Sequence, residues 1–217
     1  MTATGQSRAG GLRISRLALG LLIVAEGLLL AMVVVGGARY PGYDHARQFM
    51  SELGATGSVT RAWVNPFGYI PNGVFMTVGS LLAAWVLRRS AAAVAACLLL
   101  AGNGLGMTGA GVYPCDFECS RADPTAAGML HDLFGGLGYL CAMLGVGLAA
   151  LWARTSDARW LAPLGVVVLI VSMVGFYGVV AEVEMKGLFQ RAMEAALAVF
   201  MLALGWALVR GVRGARR

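Results

Sequence analysis

The chain has 217 residues, of which 59% are hydrophobic and 13% are charged, and its mean hydropathy is +0.74. Soluble domains carry roughly 25% charged residues, and disordered chains combine low hydrophobicity with high charge, so the composition excludes both classes. The net charge of +6 then follows from the sidedness of a membrane protein, and we expect no nucleic-acid partner.

Six apolar stretches are long enough to cross a bilayer, since a membrane helix needs roughly 20 apolar residues. Charges, prolines or polar clusters separate each stretch from the next. The predicted spans are residues 17–36, 66–87, 91–111, 128–153, 160–180 and 188–209. The predicted fold class is therefore all-α: a polytopic integral membrane protein with one six-helix transmembrane domain over residues 17–210. An N-tail of residues 1–16 and a basic C-tail of residues 211–217 flank it.

Basic residues mark the cytoplasmic side of a membrane protein. One set of flanks holds the acid Asp157 and many arginines: Arg8, Arg13, Arg16, Arg88, Arg89, Arg154, Arg159, Arg210, Arg213, Arg216 and Arg217. The opposite flanks hold more acids than bases. We therefore predict a cell membrane protein, bacterial and in the inner membrane, with both termini in the cytoplasm. The longer connections, residues 37–65, 112–127 and 181–187, then lie outside, where we expect any function.

The first outer loop shows a helical pattern between Tyr43 and Leu53. Apolar residues fall on one arc at 100° per residue, and polar residues, including Ser51 and Glu52, fall on the other. Pro41 before the segment and Gly54 after it suit the two ends of a helix. The sequence predicts a short amphipathic helix, which either lies on the bilayer surface or covers a cavity between the spans.

The second outer loop contains Cys115 and Cys119. On the outer side these cysteines face an oxidising compartment, and a spacing of four residues allows a disulfide if the segment turns, so we predict that they pair. Two alternatives stay open. The cysteines could bind Zn²⁺ together with Asp116, Glu118 and His131, or they could act as a redox pair.

Several ionisable and amide side chains lie within the spans or at their outer ends. Glu26 is near mid-membrane, at a depth similar to that of Asn103, so the two could form an interhelical hydrogen bond or part of a proton relay. Arg191 and Glu194 are three residues apart on one helix and could form an ion pair. The outer groups are expected either to line one polar cavity or to be scattered at headgroup level: Glu52, Asn72, Asp116, His131, Asp132, Glu182, Glu184 and Arg191.

Glycines crowd the third and fourth spans. Gly102 and Gly106 form a GxxxG pair, and further glycines include Gly135, Gly138 and Gly145. Small residues let membrane helices approach closely, so we predict that these two spans pack tightly as a central pair.

Several short segments resemble those of the DUF998 family, six-span bacterial and archaeal proteins with a domain of unknown function. They are the run from Tyr40-Pro41-Gly42-Tyr43 to Ser51-Glu52-Leu53-Gly54-Ala55, the run Tyr113-Pro114-Cys115-Asp116 with Cys119, and His131-Asp132. The resemblance extends over nearly the whole chain. It implies the six-span topology and assigns no activity to any residue.

Three functions remain open from the sequence. One is a non-enzymatic membrane partner or assembly protein that acts through a polar site at its outer face. Another is a membrane-embedded hydrolase of a lipid or lipid-linked substrate, with Ser51 or water as nucleophile, His131 as base, and Asp116, Asp132 or Glu52 as orienting group or ligand. The third is a small-molecule or proton-coupled transporter with Glu26 and Asn103 on its path. No cofactor is required by the sequence, although a metal at the outer face would suit the residues there.

Overall fold

A computed structural model describes residues 3–214 of the chain, with the side chains of residues 10–211. The described residues form helices and no strands, and six of the helices are long and apolar enough to cross a membrane. We number these helices α1 (Ala3–Arg39), α2 (Arg61–Val86), α3 (Ala91–Val112), α4 (Ala126–Ala153), α5 (Leu161–Val180) and α6 (Lys186–Gly214). The predicted class is confirmed: this is an all-helical, multi-pass membrane protein.

Helix α2 begins at Arg61 rather than near residue 66, where the sequence predicts it. Pro66 lacks an N–H group and would break an ordinary α-helix, but it lies in a π-helical turn, Asn65–Tyr69, through which the helix continues. The predicted tails are helical where they are described, because α1 extends into the N-tail and α6 extends into the C-tail. Residues 1–2 and 215–217 of the predicted tails lie outside the described residues.

The helices form a ring in chain order. Each helix packs against the next, and α6 closes the ring by packing against α1. Short connections at residues 87–90 and 154–160 lie at one end, together with the first described turn of α1 and the last described turn of α6. We call this the turn end. The longer connections at residues 40–60, 113–125 and 181–185 lie at the other end, which we call the loop end.

Helices α3 and α4 pack closely, as the glycines predict. A Cβ atom added to Gly106 would lie 2.6 Å from the Cα atom of Gly138, so only glycine allows this backbone approach. Gly73 of α2 is equally close to Gly104 of α3, where an added Cβ would meet the Gly104 carbonyl. Because the six helices form a ring, the pair α3 and α4 forms one side of it and is not a central pair.

The first loop does not form the regular helix predicted over residues 43–53. Turns occupy residues 41–42 and 45–47, and a short 3₁₀ helix, Met50–Gly54, follows. The reason is local competition: the Asp44 carboxylate accepts the Ala46 N–H at 2.8 Å and closes a turn in place of a helical hydrogen bond. Met50 and Leu53 are buried at the end of the bundle, so the loop covers the helices and does not lie on a bilayer surface.

Candidate functional site: a covered cavity at the loop end

A cavity of about 70 Å³ lies inside the ring near the loop end. Its wall includes apolar residues, among them Leu29, Met107, Ala110 and Gly135. It also includes polar side chains from the first loop and from α2, α3, α4 and α6: Ser51, Tyr69, Asn103, His131, Tyr139, Gln190 and Glu194. The cavity is thus amphipathic, which is typical of sites for small ligands.

A chain of hydrogen bonds joins the first loop to the cavity wall. The Met50 N–H donates to the Gln190 side-chain oxygen at 2.7 Å, and the Gln190 amide donates to the Tyr139 hydroxyl at 3.2 Å. The Tyr139 hydroxyl then donates to the Glu194 carboxylate at 2.7 Å. The Tyr69 hydroxyl also donates to the Met50 carbonyl. These bonds fix Met50 and its neighbour Ser51 over the ring.

Gln190 and Tyr139 were not predicted as site residues from the sequence. A usable signal exists, because Gln190 and Glu194 are four residues apart on α6 and therefore lie on one face. Similarly, Tyr139 lies eight residues after His131 and follows Gly135 by four, which places all three on one face of α4. The sequence does not show that these two faces meet across the ring.

His131 is held in one orientation by the end of α3. Its Nδ1 atom lies 2.9 Å from the Ala110 carbonyl oxygen and 3.0 Å from the Tyr113 carbonyl oxygen. Carbonyl oxygens can only accept, so Nδ1 carries a proton and the neutral ring has its lone pair on Nε2. The same contacts satisfy carbonyl groups that the last turn of a helix leaves without partners.

Cys115 and Cys119 form a disulfide, which confirms the pairing favoured by the sequence. The Thr56 N–H donates to the Cys115 carbonyl at 2.9 Å and ties the second loop to the first. The Ser51 hydroxyl lies 3.3 Å from the Cys119 sulfur. The two sulfurs and a ring nitrogen of His131 all lie within 4.8 Å of one another. The disulfide is therefore next to two residues of the cavity wall.

Glu52 and Asp116 make contacts within their loops and are not among the residues that line the cavity. The Glu52 carboxylate accepts the Phe49 N–H at 2.9 Å and the Gln48 side-chain amide at 2.7 Å. Burial raises the pKa of Glu52 above its ordinary value, and these two donors partly offset the effect. Asp116 accepts both the N–H and the hydroxyl of Thr125, at 2.9 and 2.7 Å, at the start of α4.

Asp132, Glu182 and Glu184 bind arginines at the surface of the loop end. The Arg121 guanidinium bridges Asp132 at 2.8 Å and Glu182 at 3.1 Å, and Arg47 binds Glu184 at 3.0 Å. Asp132 is next to His131 in sequence, but its carboxylate binds Arg121. Exposed pairs of this kind contribute roughly 1 kcal/mol or less each to stability. They link the loops of the loop end to one another.

Arg191 does not pair with Glu194, although their spacing on α6 predicts such a pair. The guanidinium donates to the Gln48 carbonyl at 3.0 Å and to the Tyr43 hydroxyl at 2.6 Å, while Glu194 accepts from Tyr139. Both partners therefore have tertiary contacts that compete with the local pair. Tyr43 is largely enclosed, and burial raises its pKa to about 12 despite the nearby Arg191 charge.

Glu26, Asn72 and Asn103 lie inside the ring and do not bond to one another in the expected way. The Asn103 amide donates to the Met76 sulfur at 3.3 Å, and not to Glu26. The Asn72 amide donates to the Ala25 carbonyl at 2.8 Å. Among the described residues, one carboxylate oxygen of Glu26 and the side-chain oxygen of Asn72 are buried without a hydrogen-bond partner.

Residues 23–207 match the family model described as Protein of unknown function (DUF998). This match includes most of the chain and part or all of every membrane helix. The chain belongs to the DUF998 family. Comparisons with curated proteins and with solved structures found no match. The function of this DUF998 protein is therefore argued from the cavity and the residues around it.

Proposed function

We propose that this DUF998 protein binds the polar head group of an amphipathic molecule, a lipid or a lipid-linked compound, in the cavity at the loop end. In this role it is a non-enzymatic partner or assembly protein of the membrane. The observation that carries the proposal is the cavity wall, which combines apolar residues with several hydrogen-bonding side chains. A cavity of about 70 Å³ admits only a small group, so the polar head of such a molecule would enter it and the apolar tail would remain outside.

The polar part of the wall offers both donors and acceptors. Nε2 of neutral His131 is an acceptor, because Nδ1 donates to the end of α3. The Ser51 hydroxyl can donate or accept, and the Glu194 carboxylate has an oxygen besides the one that Tyr139 occupies. A hydroxyl or amide head group therefore suits the site better than a purely apolar ligand.

The arginine-rich flanks support an outer-leaflet location for the site. If both termini lie in the cytoplasm, the loop end faces outward, and a ligand would enter from the outer leaflet or from the outer aqueous phase. The covering loop is held by Met50, Gln190 and Arg191, so ligand entry requires part of this loop to move.

Two glycines on α4 allow a matched test of ligand binding. A Cβ atom added to either Gly135 or Gly136 would meet nothing within 4 Å, so neither position requires glycine for a close contact. Gly135 lines the cavity, and its neighbour Gly136 is not among the lining residues. Gly135→Leu should fill the cavity, and Gly136→Leu is the control with the same change in composition and helix propensity.

Native mass spectrometry of the full chain, purified gently from its membrane, measures the retained ligand. We expect the wild type and Gly136→Leu to retain a lipid-like molecule and Gly135→Leu to lose it. Equal retention by both variants, or no bound molecule in the wild type, would contradict the proposal.

A hydrolase is the second candidate, because Ser51 and His131 line the same cavity. Nε2 of His131 has the free lone pair that a general base needs. Ser51 contacts the Cys119 sulfur, so attack on a substrate would require its hydroxyl to turn toward His131. If the extracted ligand is an ester or amide, Ser51→Ala and His131→Ala should retain it in uncleaved form. If the extracted ligand is added back to the wild-type protein and is not cleaved, the result favours binding without hydrolysis.

A further inference from the structure

Three potential metal ligands meet beside the cavity. The sulfurs of Cys115 and Cys119 and one ring nitrogen of His131 lie within 4.8 Å of one another. In a tetrahedral zinc site the Zn–S distance is about 2.3 Å and the Zn–N distance about 2.0 Å, so neighbouring ligand atoms are roughly 3.5–4 Å apart. The three ligand atoms are therefore already almost as close together as in a zinc site. The sulfur–sulfur bond is the feature that excludes a metal ion.

The orientation of His131 points independently to a ligand. A histidine that binds a metal usually donates its other ring N–H to a carboxylate or backbone carbonyl, which fixes the ring and directs the lone pair toward the metal. Nδ1 of His131 makes this contact twice, with the carbonyls of Ala110 and Tyr113. Nε2 is therefore the nitrogen available for coordination.

The second loop has anchors that do not depend on the disulfide. The Thr56 N–H holds the Cys115 carbonyl, and the Asp116 carboxylate holds the N–H and hydroxyl of Thr125 at the start of α4. Cys115 and His131 therefore stay near each other when the sulfur–sulfur bond is open. Cys119 is only four residues from Cys115 and remains within reach.

We propose that reduction of the Cys115–Cys119 disulfide converts this cluster into a Zn²⁺ site formed by the two thiolates and Nε2 of His131. The disulfide and the zinc site are then alternative states of the same three side chains. In the reducing step a dithiol transfers two electrons and two protons to the sulfurs, and the dithiol itself becomes a disulfide. Zn²⁺ then displaces the two thiol protons.

Two cysteines and one histidine leave the fourth position of a tetrahedral zinc ion open, as in catalytic zinc sites. Ser51 lies beside the cluster, because its hydroxyl is 3.3 Å from the Cys119 sulfur, and it also lines the cavity. The proposed zinc site would therefore adjoin the cavity. This inference goes beyond the proposed ligand binding, which concerns the oxidised protein without metal.

The test uses the full chain in detergent. One sample is reduced with dithiothreitol and desalted without oxygen, and the other is kept oxidised. Both receive Zn²⁺ alone, and bound zinc is measured by elemental analysis after a second desalting step. Co²⁺ in place of Zn²⁺ reports thiolate ligation by its charge-transfer absorption. We expect about one Zn²⁺ per reduced chain and none retained by the oxidised chain.

Cys115→Ser and His131→Ala should each weaken zinc binding by the reduced protein at least about tenfold. His45→Ala and Cys141→Ala are matched controls, since they change the other histidine and a free cysteine away from the cluster. Size-exclusion chromatography and circular dichroism of each variant establish that it is folded.

The proposal is overturned if the reduced wild type retains no zinc, if His131→Ala binds zinc as tightly as wild type, or if the oxidised protein binds it equally well. The ligand-binding proposal is assayed on the oxidised, zinc-free protein. A failure of ligand binding can therefore be distinguished from a failure of zinc binding.

Discussion

The two ends of the bundle differ in what most of their arginines contact. At the turn end, Arg88 lies 4.3 Å from the ring centroid of Trp85 and donates to the carbonyl of the same residue. Arg210 similarly lies 5.7 Å from the Trp206 ring. At the loop end, Arg121 binds two carboxylates on different elements. For the side chains of residues 10–211, every ion pair lies at the loop end.

This difference separates charge that faces the surroundings from charge that organises the protein. Arginines beside tryptophans keep their charge available to the headgroup region, as membrane anchors do. At the loop end, Arg47, Arg121 and Arg191 are bound to carboxylates and carbonyls that connect the three loops. The loop end is therefore a folded cover over the bundle, whereas the turn end consists of short connections between helices.

The largest expected effect concerns which end faces the cytoplasm, because a topology reporter gives an all-or-none signal. We expect a fusion after Arg89 to report the cytoplasm and a fusion after Ser120 to report the outer side. Paired reporters, one active inside and one active outside, make the measurement self-controlled. An outside signal from the Arg89 fusion would reverse the assignment of the two ends.

The next effect compares one arginine from each end. Arg191→Met removes hydrogen bonds to the Gln48 carbonyl, the Gly187 carbonyl and the Tyr43 hydroxyl, and should lower the free energy of unfolding by about 2–3 kcal/mol. Arg88→Met is the control and should change it by about 0.5 kcal/mol or less. Unfolding by denaturant in detergent measures both. Equal effects would mean that the loop end is not a folded cover.

The disulfide should contribute a somewhat smaller amount. Chain-entropy arguments for a loop of this length give about 2 kcal/mol for the Cys115–Cys119 bond. Reductant should therefore lower the unfolding midpoint of the wild type and leave that of the Cys115→Ala/Cys119→Ala double variant unchanged. If reductant lowers the midpoint equally in the wild type and the double variant, its effect does not come from the Cys115–Cys119 disulfide.

The six membrane helices and the disulfide could be predicted from the sequence because each depends on local information. Hydropathy over about 20 residues identifies a membrane helix wherever its neighbours lie. The spacing of Cys115 and Cys119, with the compartment they were expected to face, was enough to favour a pair. The π turn that extends α2 past Pro66 follows from a backbone adjustment that hydropathy does not encode.

The covered site could be predicted only in part, because it depends on contacts across the ring. Ser51, Asn103 and His131 were predicted and line the cavity, whereas Tyr139 and Gln190 were missed. Spacing along α6 predicted a pair between Arg191 and Glu194, but each found a stronger partner on another element. Amphipathic spacing likewise predicted a regular helix over residues 43–53, where turns closed by side-chain bonds to the backbone and a short 3₁₀ helix form instead.

The smallest expected effect is a pH dependence of stability that comes from the first loop. Burial raises the pKa of Glu52, whose ordinary value is near 4.5. Below that value Glu52 is protonated in both the folded and the unfolded chain, and its contribution to stability is fully present. As the pH rises toward the raised folded pKa, the unfolded chain loses the proton first, so this contribution is lost. Glu52→Gln should remove that decline.

Asp44, in the same loop, provides a control of opposite sign. The Ala46 N–H lowers its pKa, so Asp44 contributes stability above its ordinary pKa, and this contribution is lost as the pH falls through the folded pKa. Asp44→Asn should therefore remove a loss of stability at low pH, while Glu52→Gln removes a loss at higher pH. Thermal unfolding midpoints between about pH 3 and pH 7 measure both effects. If Glu52→Gln has the same pH profile as wild type, Glu52 does not remain buried beneath the loop in solution. The loop end would then be a looser cover than its hydrogen bonds indicate.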